Sequence, residues 1–191
     1  MLCCPFVVVD VKAGDVQVIL NNGINFYGIR YDAIEGSDAE PVNKVWDFSS
    51  TAWVDAMNNS GIAANTNDSN WNLEVDGLKV VSGGGSIKWN KSGDVYYWQP
   101  GGKSDGTTRY FEFTADVAGK LTVYASNTGN SEDLTRMVTV KVGDGEPESL
   151  PGGYASGNGA VAVDFNITPG VVKIYPTGNG LRFYKIEYHS N

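Results

Sequence analysis

Cysteine and histidine are almost missing from this chain of 191 residues. The two cysteines are neighbours, Cys3 and Cys4, and the single histidine, His189, lies near the chain end. A bond between adjacent cysteines closes a strained ring instead of stapling a loop, so no disulfide framework is available. One histidine also leaves little for a His-based catalytic triad or a zinc centre to work with.

Basic residues are short too, with 14 Lys and Arg against 22 Asp and Glu, a net charge of -8 and a pI near 4.5. Nucleic acids and anionic membrane surfaces are held by clustered Lys and Arg, so neither is an expected partner. Acidic polysaccharides would be repelled as well, unless a cation such as Ca²⁺ bridged the two. No apolar run approaches the roughly 20 residues that cross a bilayer, which excludes membrane insertion by a helix. The opening "MLCCPFVVVDVKAG" is too short and too quickly acidic for a signal peptide; in a chain cut from a larger secreted protein the export signal would be lost with the missing front half, so this absence decides nothing about export.

What remains is glycine (24 residues), aromatics at 12% and few charges at 19%. With long helical periods absent, this is an all-β profile. Alternation marks the strands: "TRYFEFTA" puts Phe111 and Phe113 on one face, "KLTVYAS" puts Leu121 and Val123, and "RMVTVKV" puts Val138, Val140 and Val142. Glycine-bearing loops such as "GGKSDGT" and "NTGNSED" separate them. Earlier strands are read in "KVWDFS", "WNLEVDG", "LKVVSGG", "SIKWN" and "VYYWQPGG". So many strands imply two sheets. One short helix is expected in "SSTAWVDAMNNSG", capped by Ser49 or Ser50, with Trp53 and Met57 on one face and Gly61 ending it.

Two stretches read almost alike: "NGINFYGIRYD" from Asn22 and "NGLRFYKIEYH" from Asn179, with Gly23 and Gly180 157 residues apart. Upstream, "VVVD" from Val7 matches "VAVD" from Val161, and "VQV" from Val16 matches "VKI" from Val172. This is a tandem repeat whose first copy keeps only its last three strands. The domains are therefore 1–32, the end of a truncated preceding repeat; 33–43, an acidic and turn-rich linker; and 44–191, a complete module of ordinary domain size. In both copies the last strand carries large apolar groups on either parity, Leu181 and Phe183 against Tyr184, Ile186 and Tyr188, which predicts a strand covered on both faces.

At "KVWDFS", "TRYFEFTADVAGKLTVYASNTG", "RMVTVKVG" and "GNGLRFYKIEYH" the chain resembles β-sandwich modules appended to surface and secreted proteins of Bacteroidetes, including pectate-lyase-like and other polysaccharide-degrading proteins. The resemblance covers residues 44–189. It implies a two-sheet antiparallel, jelly-roll-like module, often in tandem, that is carbohydrate-binding or adhesive and not the catalytic unit, in an extracellular or cell-surface protein.

Carbohydrate recognition needs flat rings for the C–H faces of a sugar and fixed polar groups for its hydroxyls. Trp89 and the run Tyr96, Tyr97, Trp98 and Gln99 beside a Gly-rich loop supply the first requirement, and Asn127, Asn130 and Arg136 around the next loop the second. Arg136 shares parity with Val138 and Val140 but stands at the strand's mouth. There it either donates to a ligand or holds its loop by pairing with Asp133 or Glu132. Trp46 and Trp53 read as core. Acidic loop residues Asp68, Asp76, Asp105, Asp133, Asp144 and Glu146 offer oxygens for a structural calcium, without a spaced ligand motif. No catalytic residue and no other cofactor is assigned. The expected function is a non-catalytic carbohydrate-binding module with a polysaccharide or glycan as partner. The alternative is a structural or adhesive subunit that self-associates head-to-tail through residues 6–31.

Overall fold

The computed structural model describes residues 41–190 apart from 130 and 158. The reading of 1–32 as the end of a preceding repeat, the self-association segment 6–31 and nearly all of the linker lie outside the described residues. The elements are β1 (Asn43–Asp47), α1 (Thr51–Asn59), β2 (Asn67–Asp68), β3 (Asn72–Val75), β4 (Leu78–Val81), β5 (Ile87–Ser92), β6 (Val95–Pro100), β7 (Tyr110–Ala115), β8 (Gly119–Asn127), β9 (Met137–Val142), β10 (Glu148–Pro151), β11 (Val161–Ile167), β12 (Gly170–Thr177) and β13 (Leu181–Ser190).

These strands form two antiparallel sheets, as the alternating patterns require. One has the order β11-β8-β13-β6-β5-β2 with β1 also paired to β13, and the other β10-β9-β12-β7-β4-β3. From β6 onward the chain changes sheet at nearly every connection, the jelly-roll-like way of closing a sandwich. Each strand contributes its inward parity to one core: Phe111 and Phe113, Leu121 and Val123, Val138 and Val140, Val163 and Phe165, Val172 and Ile174.

The helix forms where it was expected, with Ser50 at its N-terminus in extended conformation but no side-chain cap bond. The Ser49 hydroxyl instead accepts from the Tyr96 amide at 3.0 Å. At the other end Ser60 Oγ donates to the Met57 carbonyl at 2.6 Å. The buried face of α1 is Trp53 and Met57, and Trp53 meets Phe48 edge-on at 5.0 Å. Phe48 in turn stacks on Phe111 of the opposite sheet at 5.5 Å. Trp98 is fully buried and takes Trp71 edge-on at 5.0 Å. Aromatic contacts of this kind stabilise beyond the area they bury.

β13 organises the first sheet. Along one edge it pairs with β8 for its whole length; along the other, Phe183 meets Trp98 of β6 and the segment Lys185 to His189 meets β1. The register shifts between Phe183 and Lys185, where Tyr184 is one residue more than β8 opposes. This bulge corrects the expectation of a strand apolar on both faces. Leu181 and Phe183 before it, and Ile186 and Tyr188 after it, stand opposite Asn127, Ala125, Val123 and Leu121, so all four point into the core. Only Tyr184 of the large apolar set faces outward. A strict two-residue period cannot show this, because the extra residue reverses parity halfway along the strand.

Close backbone approach fixes the far end of the β8–β13 pair. A Cβ on Gly119 would lie 2.3 Å from the His189 carbonyl oxygen. The turn into β13 needs Gly178 in the left-handed region at φ 83°.

The bulge makes a direct prediction about stability. Ile186→Ala removes a fully buried group and should cost about 2–5 kcal/mol, whereas Tyr184→Ala should cost less, both read from urea unfolding followed by tryptophan fluorescence. The opposite ranking would contradict the inward assignment.

Candidate functional site

The hairpin β5–β6 and the start of β13 lie side by side, and their outward residues share one face. Trp89 and Trp98 are cross-strand partners pointing inward, so their neighbours Asn90 and Tyr97, and Lys88 and Gln99, point outward. On β13 the outward residues here are Arg182 and the bulge residue Tyr184. Tyr97 and Tyr184 lie with ring centroids 5.1 Å apart at 37°, and the Arg182 guanidinium carbon sits 5.7 Å from the Tyr97 centroid. Asn90 is nearly buried, and its Nδ2 donates weakly to Gln99 Oε1 at 3.5 Å.

Two polar atoms in this patch are buried and have no hydrogen-bond partner among the described residues: Arg182 Nε and the Tyr184 hydroxyl. Burial pushes the Tyr184 phenol up from its ordinary pKa, and the Arg182 guanidinium beside it pulls the other way. The two groups thus feel one another without meeting in hydrogen-bond geometry. A buried polar atom without a partner costs on the order of 1–3 kcal/mol.

The neighbouring half of the same face is chemically complete. Tyr124 donates to Glu187 at 3.0 Å, and Lys185 pairs with Glu187 at 2.8 Å while lying 4.0 Å over the Tyr124 ring. Lys185, then the Tyr124 hydroxyl, hold the Glu187 carboxyl below its usual range against the opposing effect of burial. Thr122 donates to Asp164, which Lys120 also meets at 2.8 Å. The contrast singles out the Tyr97–Tyr184–Arg182 half as the place where outward polar groups are left over.

Of the residues read from sequence as a sugar site, the structure brings Tyr97 and Gln99 together on this face. Trp89 and Trp98 turn the other way, 2% and 0% exposed, because strand alternation sends them to the core. They offer no open ring to a ligand there. Tyr96 has the inward parity at the sandwich rim, where it stacks on Trp89 at 4.9 Å with Lys91 5.2 Å over its ring.

Asn127 is fully buried and ties its loop together, donating to the Ser131 carbonyl at 3.0 Å and accepting from the Gly129 amide at 2.9 Å. Arg136 bonds Asp133 at 2.7 Å, the Thr128 hydroxyl, and the Gly180 carbonyl at 3.2 Å. It thereby clamps the 128–135 loop to the turn that leads into β13. Asn130 lies outside the described residues. Arg182, Tyr184 and Asn90 were not singled out from sequence; the available signal was the Phe183-Tyr184 pair, which breaks the alternation at the bulge.

Among the described residues no group of three or more His, Cys, Asp or Glu is placed to hold a metal. Asp105 and Asp133 each accept bonds from the amide and hydroxyl of the threonine two residues on, and Asp68 accepts from the Asn70 amide. A cleft of about 340 Å³ opens elsewhere, at the side where β1 approaches β3 and β4. Its lining includes Trp46, Glu74, Asp76, Lys79 and Asp116. No helix among the described residues is long and apolar enough to cross a membrane.

No family model and no curated protein matches the chain. Among solved structures it is similar to a chain of the Ruminococcus flavefaciens cellulosome reported with an expansion in glycan recognition: 19% identical, 78% of this chain and 94% of that one, TM-score 0.33. It is also similar to carbohydrate-binding module CBM6cm-2 of Cellvibrio mixtus lichenase 5A, solved with cellotriose, at 11% identity over 68% of this chain and 99% of that one, TM-score 0.31. An exo-beta-1,3-galactanase of Phanerochaete chrysosporium is matched at 16% identity and TM-score 0.38, over 77% of this chain but 29% of the galactanase. Likenesses at this level say nothing about ligand or activity.

Asp133 gives the loop a pH signature. Bonds from the Thr135 hydroxyl, then from Arg136, hold its carboxyl at about 2 against an ordinary 3.8. A carboxyl lowered by folding stabilises above its unfolded value and loses that contribution as pH falls through the folded one. Asp133→Asn should therefore lower the melting temperature at pH 7, with the difference from the parent chain shrinking from about pH 4 toward pH 2. A difference independent of pH in that window would contradict the clamp.

Proposed function

We propose that this chain is a non-catalytic carbohydrate-binding module whose ligand lies on the outer face of the β5–β6–β13 surface. The observation that carries the reading is the Tyr97–Tyr184 ring pair set beside the unpartnered Arg182 Nε and Tyr184 hydroxyl. Tyr97, the partly exposed ring of the pair, is the one open to the apolar C–H face of a pyranose, with Tyr184, 7% exposed, beside it, and fixed donors and acceptors around them fix its hydroxyls. Gln99 and Asn90 extend the polar set on the same face.

A neutral polysaccharide fits this surface better than a polyanion, since the net charge of -8 opposes the latter. Binding on this reading uses protein groups directly and requires no cofactor. The setting in a larger secreted or surface protein rests on the sequence resemblance alone. The loop residues Asn127 and Arg136 enter the proposal as supports for the turn before β13, where their bonds are made.

The test is calorimetric titration and affinity electrophoresis of the full chain against a panel of neutral β-glucans, xylans and galactans. Tyr97→Ala and Arg182→Gln should each weaken binding by about tenfold or more, the equivalent of roughly 1.4 kcal/mol. Lys120→Gln, on the completed half of the face, should leave affinity unchanged. No affinity for any glycan with the fold intact, or full affinity in Tyr97→Ala, would overturn the reading.

A further inference from the structure

β12 and β13 do not add to the outside of a finished sandwich; they fill slots inside the two sheets, and β11 supplies an edge. β12 lies between β7 and β9, and β13 lies between β8 on one edge and β6 and β1 on the other. β11 closes the free edge of β8. A set of these three strands can bury its inward side chains only against the remaining ten strands, which determines what would accept a second copy of the set.

The chain carries such a copy in its sequence. Ile24, Phe26, Ile29 and Tyr31 stand where Leu181, Phe183, Ile186 and Tyr188 point into the core. Val9, Val16 and Val18 correspond to the inward Val163, Val172 and Ile174. The spacing across the bulge is kept too, since Tyr27 follows Phe26 as Tyr184 follows Phe183 and the next inward residue comes three after the phenylalanine in both. The outward positions are kept only in part: Tyr27 matches Tyr184 and Asp10 matches Asp164, whereas Asn25 replaces Arg182, Gly28 replaces Lys185 and Arg30 replaces Glu187. The copy thus matches the part of the strands that the acceptor reads and differs at several of the positions that face outward.

The module's ends favour exchange. Val42 and Ser190 are bonded to each other, amide to hydroxyl at 2.8 Å and amide to carbonyl at 2.9 Å, so the entry and exit of the sandwich are adjacent. A strand set joined ahead of β1 can reach the same slots as one joined after β10.

We propose that residues 7–32 are an exchangeable second set of the last three strands, able to occupy the β11–β13 slots of this sandwich when its own ending is absent or disabled. A module completed in this way presents Asn25 where Arg182 stood, so exchange changes the outward face while keeping the core.

Two pairs of chains test this, each followed by urea unfolding with tryptophan fluorescence. A chain cut to residues 1–160 should keep a cooperative transition, and Phe26→Asp with Ile29→Asp in it should abolish that transition. In the full-length chain, Phe183→Asp with Ile186→Asp should also leave a cooperative transition, while the same two changes in residues 41–191, which carry their own core, should not. Loss of the transition in both the 1–160 chain and the full-length double variant overturns the proposal.

Discussion

Everything in this fold depends on β13 being paired along both edges. Its neighbours β8, β6 and β1 come from widely separated parts of the sequence, so the last strand to be made joins segments that have no local reason to meet. The backbone ladder alone does not fix how they meet. Register is enforced by burial, because slipping the strand by one residue would exchange its core and outward sets. Leu181, Phe183, Ile186 and Tyr188 are all essentially buried, and that set is compatible only with one residue in excess at Tyr184.

The bulge that satisfies the core lies inside the proposed site. Without it the outward parity of Tyr184 would continue to Ile186 and Tyr188 and turn those two core residues out. Tyr184 stands on the outer face beside Tyr97, and Arg182 keeps a buried nitrogen that no described residue meets. On the adjoining surface, Tyr124, Lys185 and Glu187 satisfy one another. One sheet face is thus divided into a half whose polar groups satisfy one another and a half in which two buried polar atoms lack a partner among the described residues, and the second half lies where the register changes.

Much of the architecture was legible in the sequence because it rests on local periods. "YFEFTA", "KLTVYAS" and "RMVTV" alternate cleanly and became β7, β8 and β9; Trp53 and Met57, one helical turn apart, became the buried face of α1. The doubled apolar parity of the last strand is visible but by itself indicates burial on two faces, since an extra residue changes the period without leaving a marker. For the site, Tyr97 and Gln99 were legible as residues near a Gly-rich turn. Their inward neighbours Trp89 and Trp98 could not be separated from them without knowing which parity the sheet buries. Arg182 and Tyr184 depend on a pairing between β6 and β13 that no window of sequence contains. Arg136 had two readings of equal chemical merit, and its bonds to Asp133, Thr128 and Gly180 are contacts across a loop and a turn far apart in the chain.

The most direct test of the central claim is an amide chemical-shift titration of the isotope-labelled chain with the best-binding neutral glycan. The account predicts saturable shifts concentrated at Asn90, Tyr97, Gln99, Arg182 and Tyr184, with Thr128 to Arg136 and the Tyr124–Glu187 half of the face unmoved. Shifts concentrated in the 128–136 loop or in the cleft beside Trp46, with Tyr97 and Tyr184 silent, would contradict it.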